Sequence, residues 1–556
     1  MASHRVDLLR VPASTTPGPK TQPLRRARLT VEAGDVLRAD ARLSRRGASG
    51  DGRATFVLAV DGEEVARLPL EVTKAHDADV ATLDLEPWLG RDVEIEARIE
   101  GAGDGWHAYW QSLAAERVQT VERRTSEAGR NVLLVMVDTL RADHLGLYGA
   151  TRDTSPRLDA FASRARVFDH ALAPSSWTLP SVAALFTGLY PRDRGWADGQ
   201  ALELHHLLLP QRLQRAGLST FASSANPLIA PSHGFDRGFE VFQHRPWELA
   251  PRLHDDFFAW LDRHRETQWF AYLHAIDPHD PYTDSPEPFA SRFVRDPDYD
   301  GVFADPGALN RIHLESAWGD RDAVDVEAAD LDWLIDKYDG EIAFWDHHFG
   351  RLIDGLEARG LLERTIVIVM SDHGEEFLEH GFLKHGRSLY RPALHVPLLI
   401  FAPGLVEPGR VDAVAETIRL DRAILQLLRL DEGPSRPNDL LRLEDGDRFP
   451  AFATTRVPHG PGISRRYSLD AVREDALKLV HRPDDDGLEA WTELYDLNVD
   501  PGEQTSLAEA RPEQAEALQQ LLDTWARSSG PRSSDAERGE LQPEELEALR
   551  ALGYVQ

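Results

Sequence analysis

The chain carries no cysteine among its 556 residues. Disulfides and thiolate metal sites are thereby excluded, and any metal chemistry must use carboxylate, imidazole, hydroxyl or amide ligands. Positive charge is also short. Against 93 Asp and Glu stand 62 Lys and Arg, a formal net charge of −31. That sign argues against nucleic acid or an anionic membrane as the main partner. An anionic substrate would need a local positive centre, either a metal or arginines. Long apolar runs are missing too: none approaches the roughly 20 residues of a membrane span. Met1-Ala-Ser-His-Arg5 opens onto no apolar signal core, so the chain as written reads as unexported and cytoplasmic. Apolar content, at 42%, is that of an ordinary globular protein. No feature of the sequence sets an oligomeric state.

What is present is a pattern of short apolar runs that stop at metal-type ligands. Asn131-Val-Leu-Leu-Val-Met-Val137 stops at Asp138. Thr365-Ile-Val-Ile-Val-Met370 passes through Ser371 to Asp372 and His373. Phe270-Ala-Tyr-Leu-His-Ala-Ile276 stops at Asp277, with Pro278 and His279 behind it. Near-continuous apolar runs suit a parallel sheet covered on both faces. In an open α/β sheet, ligands gather beyond the carboxyl ends of the strands. Carboxylates and imidazoles from distant parts of the chain can therefore meet at one edge.

The periodicities divide the chain. Residues 1–24 read as an extended lead-in, and 25–120 as an antiparallel β-sandwich with Asp61-Gly62 at a hairpin turn. Trp106, Tyr109 and Trp110 near its end read as core packing in preference to a sugar-stacking face. Residues 121–130 form a linker. From 131 to 450 strands alternate with helices, the βαβ pattern of a mostly parallel sheet flanked by helices. Helices are expected over Leu158–Ala165, Leu179–Phe186, Leu207–Ala216, Asp255–His264, Leu331–Arg359 and Leu420–Leu430. Segment 283–325 reads as a long acidic loop, either an active-site cover, as loops of that length often are, or a disordered stretch. Residues 451–530 form a smaller α+β subdomain, and 531–556 a tail with a short helix.

Ser176-Trp-Thr178-Leu-Pro180-Ser-Val182 places a hydroxyl residue where a helix begins, with proline in the first turn and Gly188 at its end. A helix N-terminus favours an anion. Thr178 could simply cap the helix, but a metal held by Asp138, Asp372 and His373 would make the same hydroxyl a nucleophile.

Taken together these stretches resemble the sulfatase family of the alkaline phosphatase superfamily. The matching segments are Asn131 to Asp143, Thr178-Leu-Pro-Ser-Val-Ala-Ala-Leu-Phe-Thr-Gly188, Asp277-Pro-His279-Asp-Pro-Tyr282, Ser371-Asp-His-Gly-Glu375, and Gly381-Phe-Leu-Lys384-His385. The resemblance runs in order from about residue 128 to 530 and omits the N-terminal sandwich. It implies an alkaline-phosphatase-like α/β fold, a metal-dependent hydrolase or transferase, and an anionic ester substrate, phosphate or sulfate, on a glycan or lipid head group.

The departures are informative. Sulfatases carry Cys or Ser at position 178, oxidised to formylglycine. Threonine would give a ketone, so no formylglycine is expected here. Thr139 and His373 stand where the usual calcium site has Asp and Asn. An Asp138, Thr178, Asp372, His373 set resembles the phosphodiesterases and phosphotransferases of the superfamily and moves the preference from calcium towards one zinc or manganese ion. The implied reaction is in-line attack by Thr178 on a phosphate ester, diesters above all. His279, His385 and Lys384 are candidates for charge neutralisation or leaving-group protonation, and Arg141 and Asn226 for anion contact. A second metal would have to draw on His274, Asp277, His279 and His395, and one metal is favoured. Two alternatives stand beside this reading: sulfate-ester hydrolysis without formylglycine, and a non-catalytic protein that binds a polyanion or glycan.

Overall fold

The computed structural model describes residues 2–528, apart from 12–24, 32–34, 46–51, 73–75, 101–105, 126–128, 194–195, 197–200, 203–205, 306, 318–325, 431–437, 458–466 and 485–488. The expected tail helix and residues 12–24 of the lead-in lie outside this set.

The N-terminal module has eight strands: β1 (Ala2–Val11), β2 (Arg25–Thr30), β3 (Asp35–Arg45), β4 (Gly52–Val60), β5 (Glu63–Val72), β6 (His76–Asp84), β7 (Asp92–Glu100) and β8 (Trp106–Val121). They form two antiparallel sheets of order β1-β8-β3-β6 and β2-β7-β4-β5. Alternate residues of β7 (Val93, Ile95, Ala97, Ile99) pack with Phe56, Leu58 and Val60 of β4, as a period of two requires. Asp61 and Gly62 both take positive φ at the β4–β5 turn, the conformation that a two-residue hairpin needs. Residues 2–11, read as lead-in, instead pair with β8. Their polar–apolar alternation is short and irregular, and only the partner strand reveals it. Trp106, Tyr109 and Trp110 lie on β8, with side chains outside the described set.

The central sheet has nine strands. Its left part, β12 (Val241–His244), β11 (Ser219–Ser224), β13 (Trp269–Ala275), β9 (Asn131–Val137) and β14 (Thr365–Ser371), is parallel. Beyond β14 come β18 (Leu398–Phe401), β10 (Arg166–Leu172) and β17 (His395–Val396), while β19 (Gly409–Glu416) also pairs with β10. Every side chain of β9 is buried. Val132, Leu134 and Met136 point to one core, Leu133, Val135 and Val137 to the other. Helices α2 (Thr178–Thr187), α3 (Leu209–Arg215) and α8 (Leu420–Leu427) supply the first core. Helices α1 (Pro156–Ala162), α4 (Ala250–Leu261) and the long α6 (Ala328–Ala358) supply the second. The sequence therefore reads as continuous apolar runs because both faces are covered.

The segment expected as one loop contains α5 (Ala308–Ala317), which buries Ala308, Leu309 and Ile312 in the second core. Ahead of it, residues 283–305 lie along α6, held by Ser285 N–H on Glu341 and Arg295 on Asp336. A hairpin, β15 (Glu376–Phe377) and β16 (Leu383–Lys384), and the short α7 (Arg391–Leu394) follow β14. The C-terminal subdomain is an antiparallel sheet of β20 (Ala451–Val457), β21 (Tyr467–Glu474), β22 (Leu477–Arg482) and β23 (Trp491–Asp496), packed by α9 (Pro512–Ser528) through Leu518, Leu522 and Trp525. No helix among the described residues is long and apolar enough to cross a membrane.

Register brings the ligand-bearing ends level. Ser371 and Ala275 both pair with Val137, so Asp372 and Asp138 emerge side by side one residue later. Gly374 lets the chain turn beneath them. Its N–H donates to Ala393 O at 2.8 Å, and a Cβ there would lie 1.9 Å from Pro392 O. Gly374→Ala should therefore force the backbone apart and cost about 1–3 kcal/mol, the usual range for overpacking. Thermal unfolding would register this as a lower midpoint, and an unchanged midpoint would refute the close approach.

Candidate active site

Four strand ends supply the site. Asp138 follows β9, Asp372 and His373 follow β14, His274 is the penultimate residue of β13, and Asn226 lies just past β11. All five side chains are buried. Thr178 is the first helical residue of α2, after an extended Trp177, and its side chain caps nothing. The capping alternative for Thr178 is therefore not what the structure shows. Its Oγ1 lies 3.2 Å from His373 Nε2 and 3.3 Å from Asn226 Nδ2.

The donor atoms are poised without partners. Asp138, His274 and Asp372 each bring one ligand atom within 4.8 Å of the others. Asp138 Oδ1, His274 Nε2 and Asp372 Oδ2 are buried and have no hydrogen bond, which in a native interior calls for an explanation. Asp138 Oδ2 is 3.3 Å from His274 Nε2, and His373 Nε2 is 3.6 Å from Asp138 and 3.5 Å from Asp372. The rings are set for ligation. His373 Nδ1 donates to Gly374 O at 2.9 Å, so Nε2 presents its lone pair. Tyr272 holds His274 Nδ1 at 2.8 Å, leaving Nε2 towards Asp138. Such outer hydrogen bonds orient metal-binding imidazoles.

Burial opposes the charge on both carboxylates. For Asp138 it is outweighed by the imidazoles of His274, His279 and His373, which hold the carboxyl low, at about 2. Asp372 is pushed up by burial and by the charge of Asp138. A divalent cation among these atoms would relieve both costs, and a mixed oxygen and nitrogen set suits zinc or manganese better than calcium. The residues present thus fit a metal.

Asn226 is fixed in orientation. Its Oδ1 accepts Leu228 N–H at 2.8 Å, so the Nδ2 donors face Asp138 Oδ2, at 2.6 Å, and Thr178. Opposite stands a pair of imidazoles. The His385 ring lies 4.4 Å from that of His373 and 5.1 Å from that of His279. His385 Nδ1 is 2.8 Å from Glu375 Oε1, and Tyr282 donates to the other Glu375 oxygen at 2.8 Å. His279 Nδ1 is 2.9 Å from Asp280 O, and the ring meets the edge of Trp247.

Other expectations are corrected. Arg141 does not reach the site. Its guanidinium pairs with Asp143 and Glu379 and donates to Glu375 O, which braces the loop behind the ligands. Lys384, buried at 1% exposure, is tied to Asp280 and Asn310. The second-metal set does not assemble. His395 meets Asp169 O and packs on Tyr148, and Asp277 accepts Ala250 N–H at the start of α4, its carboxyl pushed up to about 7 by burial. His274 belongs to the first cluster. Its signal was in the sequence: a lone imidazole in an apolar strand, two residues before the level of Asp138.

The turn after Asp138 is strained. Thr139 has φ 54, a left-handed conformation that costs a β-branched residue on the order of 1 kcal/mol or more. Tyr338 secures it by donating to Thr139 O at 2.7 Å and accepting Arg141 N–H at 2.9 Å. Tyr338→Phe should leave two buried backbone groups unpaired, at about 1–3 kcal/mol for such a loss, and weaken metal retention by loosening Asp138. Unfolding and metal titration of the variant would measure both, and unchanged values would show that the clamp is idle.

The sulfatase family model matches residues 130–430, which include every residue of this site. The chain is 25% identical over 452 residues to arylsulfatase K of Gallus gallus, covering 70% of this chain and 81% of that one. It is 22% identical over 488 residues to an N-acetylglucosamine-6-O-sulfatase of Bacteroides thetaiotaomicron, covering 71% and 86%. Among solved structures it is similar to the phosphonate monoester hydrolase of Agrobacterium radiobacter, with a TM-score of 0.57 and 20% identity over 75% of this chain and 98% of that one. It is also similar to a protein solved with D-glucosamine-2-N,6-O-disulfate, with a TM-score of 0.58 and 20% identity over 73% and 100%. With a family match over more than half its length, and strand ends that converge as that match implies, the chain belongs to the sulfatase family.

Proposed function

We propose that this sulfatase-family hydrolase cleaves phosphorus esters, phosphate diesters above all, with Thr178 as nucleophile and one zinc or manganese ion held by Asp138, His274, Asp372 and His373. The observation that carries the reading is the Thr178 hydroxyl, 3.2 Å from His373 Nε2 beside three buried ligand atoms that lack partners. The formylglycine route has no starting residue here, because oxidised threonine is a ketone. A non-catalytic binder would have no need for a nucleophile aimed at a full ligand set. The similarity in fold to a phosphonate monoester hydrolase is compatible with phosphorus chemistry on this scaffold.

When bound, the cation would lower the pKa of the Thr178 hydroxyl and offset charge on the transferred group. The residues do the rest. Asn226 Nδ2 donates towards Thr178 Oγ1 and steadies Asp138. Thr178 Oγ1 forms a bond to phosphorus as the bond to the ester's leaving oxygen breaks. The threonine proton passes to water, and the leaving oxygen takes a proton from the imidazole pair His279 and His385. Water, or an acceptor alcohol in a transferase, then attacks phosphorus and gives its proton to the imidazole pair, while Thr178 Oγ1 leaves and regains a proton from solvent.

Two measurements test this. Metal analysis of the purified chain should find about one equivalent of zinc or manganese, lost in Asp372→Ala and reduced in His274→Ala. A side-by-side assay of bis-p-nitrophenyl phosphate, a phosphate monoester, a phosphonate ester and an aryl sulfate should favour a phosphorus ester. Thr178→Ala should lower that rate by about 10³-fold or more with metal content intact. Faster turnover of the aryl sulfate, or a Thr178→Ala variant as active as the parent, would overturn the assignment.

A further inference from the structure

Lys384 has the position of a substrate-binding cation but not its freedom. It is 1% exposed, on the last residue of β16, with φ 67. Its ammonium lies 3.1 Å from Asp280 Oδ2 and donates to Asn310 Oδ1 at 2.7 Å. A buried ammonium needs a counter-charge, and Asp280, 4% exposed, supplies it. The other Asp280 oxygen lies 3.2 Å from His279 Nδ1, and the Asp280 carbonyl lies 2.9 Å from the same nitrogen. Residues 310, 384, 280 and 279 thus form one run of polar contacts from α5 to the imidazole pair, in which the Asp280 carboxylate meets His279 by charge and the Asp280 carbonyl meets it by a hydrogen bond. Asn310 enters it from α5, whose Ala308, Leu309 and Ile312 are rooted in the core that also holds Leu383, the neighbour of Lys384. The docking of α5 and the placing of Lys384 are therefore parts of one arrangement.

We propose that Asn310 is a positioning residue for His279, acting through Lys384 and Asp280, so that the covering helix sets the angle of the imidazole that meets the substrate. Lys384 then serves as a buried cross-link among three segments (the loop after β13, α5, and the β15–β16 hairpin) and not as the cation that grips the anion. The proposal rests on the reading that His279 faces the substrate. Asn310 is well suited to the task. Its amide oxygen accepts from Lys384 without adding charge beside Asp280, and its partly exposed position lets it be replaced without opening the core.

The test is a set of variants of the full chain: Asn310→Ala, Asn310→Asp, His279→Ala, and Asn310→Ala with His279→Ala. They are assayed on bis-p-nitrophenyl phosphate and on a diester with a poorer leaving group, and followed by hydrogen–deuterium exchange. Asn310→Ala should lower kcat roughly tenfold, the scale of a sub-ångström displacement at a reacting group, with KM nearly unchanged and a larger loss on the poorer leaving group. Asn310→Asp, which keeps an acceptor but adds charge beside Asp280, should restore only part of it. In the His279→Ala background the Asn310 change should have no further effect. Exchange should rise in 277–282 and 383–386 and stay fixed in α6. If Asn310→Ala acts by the same factor with and without His279, or exchange in 277–282 is unmoved, the relay is wrong although His279 keeps its role. If His279→Ala itself leaves both esters unaffected, the reading of His279 fails and the relay with it. The exchange measurement decides the coupling even for a chain that turns over neither ester.

Discussion

Two buried carboxylates close to each other govern this structure. Asp138 and Asp372 are both fully buried, and each raises the cost of charge on the other. Such a pair is held charged only beside positive charge, and otherwise keeps a proton on one member. The fold answers by bringing His274 and His373 to the same point and by leaving one oxygen of each carboxylate unclaimed. Parallel pairing of β13, β9 and β14 makes the convergence automatic, because strands in register deliver their next residues to one level. The turns must then hold still. Ser371 Oγ lies 2.6 Å from both Val137 O and His373 O and accepts Leu140 N–H. One hydroxyl thereby fastens the two ligand-bearing turns to each other.

The wall opposite the ligands follows a different rule. There the charges are paired off. Glu375 takes His385 and Tyr282, Asp280 takes Lys384, and Glu379 and Asp143 take Arg141. The Arg141 guanidinium and the Lys384 ammonium are both held by carboxylates in this wall. On the proposed reading, a cation in the ligand cluster would give an anionic ester its positive field within a chain of net charge −31.

How much of this could be read from residues alone depends on the scale of the interaction. Strands β9 and β14 were legible to within a residue because both faces are buried and nothing interrupts the apolar run. Asp138, Asp372 and His373 stood out because charge directly after such a run has few structural uses. Thr178 was legible as a hydroxyl at a helix start, though not as one that turns away from capping. The direction of a long side chain was not legible. Arg141 and Lys384 follow partners 238 and 104 residues away, Glu379 and Asp280, and no local pattern encodes those contacts. His274 was visible as an imidazole, but its assignment to the first ligand cluster needed the β13–β9 register. Strand β1 was missed for a similar reason, since its order comes from β8 and not from its own alternation.

Threonine at position 178 makes a demand that an aldehyde hydrate would not. As the proposed nucleophile, a hydroxyl must aim one of its lone pairs in line with the bond that breaks, so its rotamer must be settled before substrate arrives. Three features settle it. The β-branch restricts χ1 in a helix. Asn226 Nδ2 and His373 Nε2 approach the oxygen from two sides. The amide of Asn226 cannot turn over, because Leu228 N–H holds its oxygen. The same amide also grips Asp138, so the Thr178 hydroxyl and the Asp138 carboxylate share one anchor. A displacement of Asp138, whose following turn is strained and clamped by Tyr338, is therefore felt at Thr178 as well. The Thr178 hydroxyl is positioned less by its own helix than by Asn226 and His373, which also border the carboxylate pair at the strand ends.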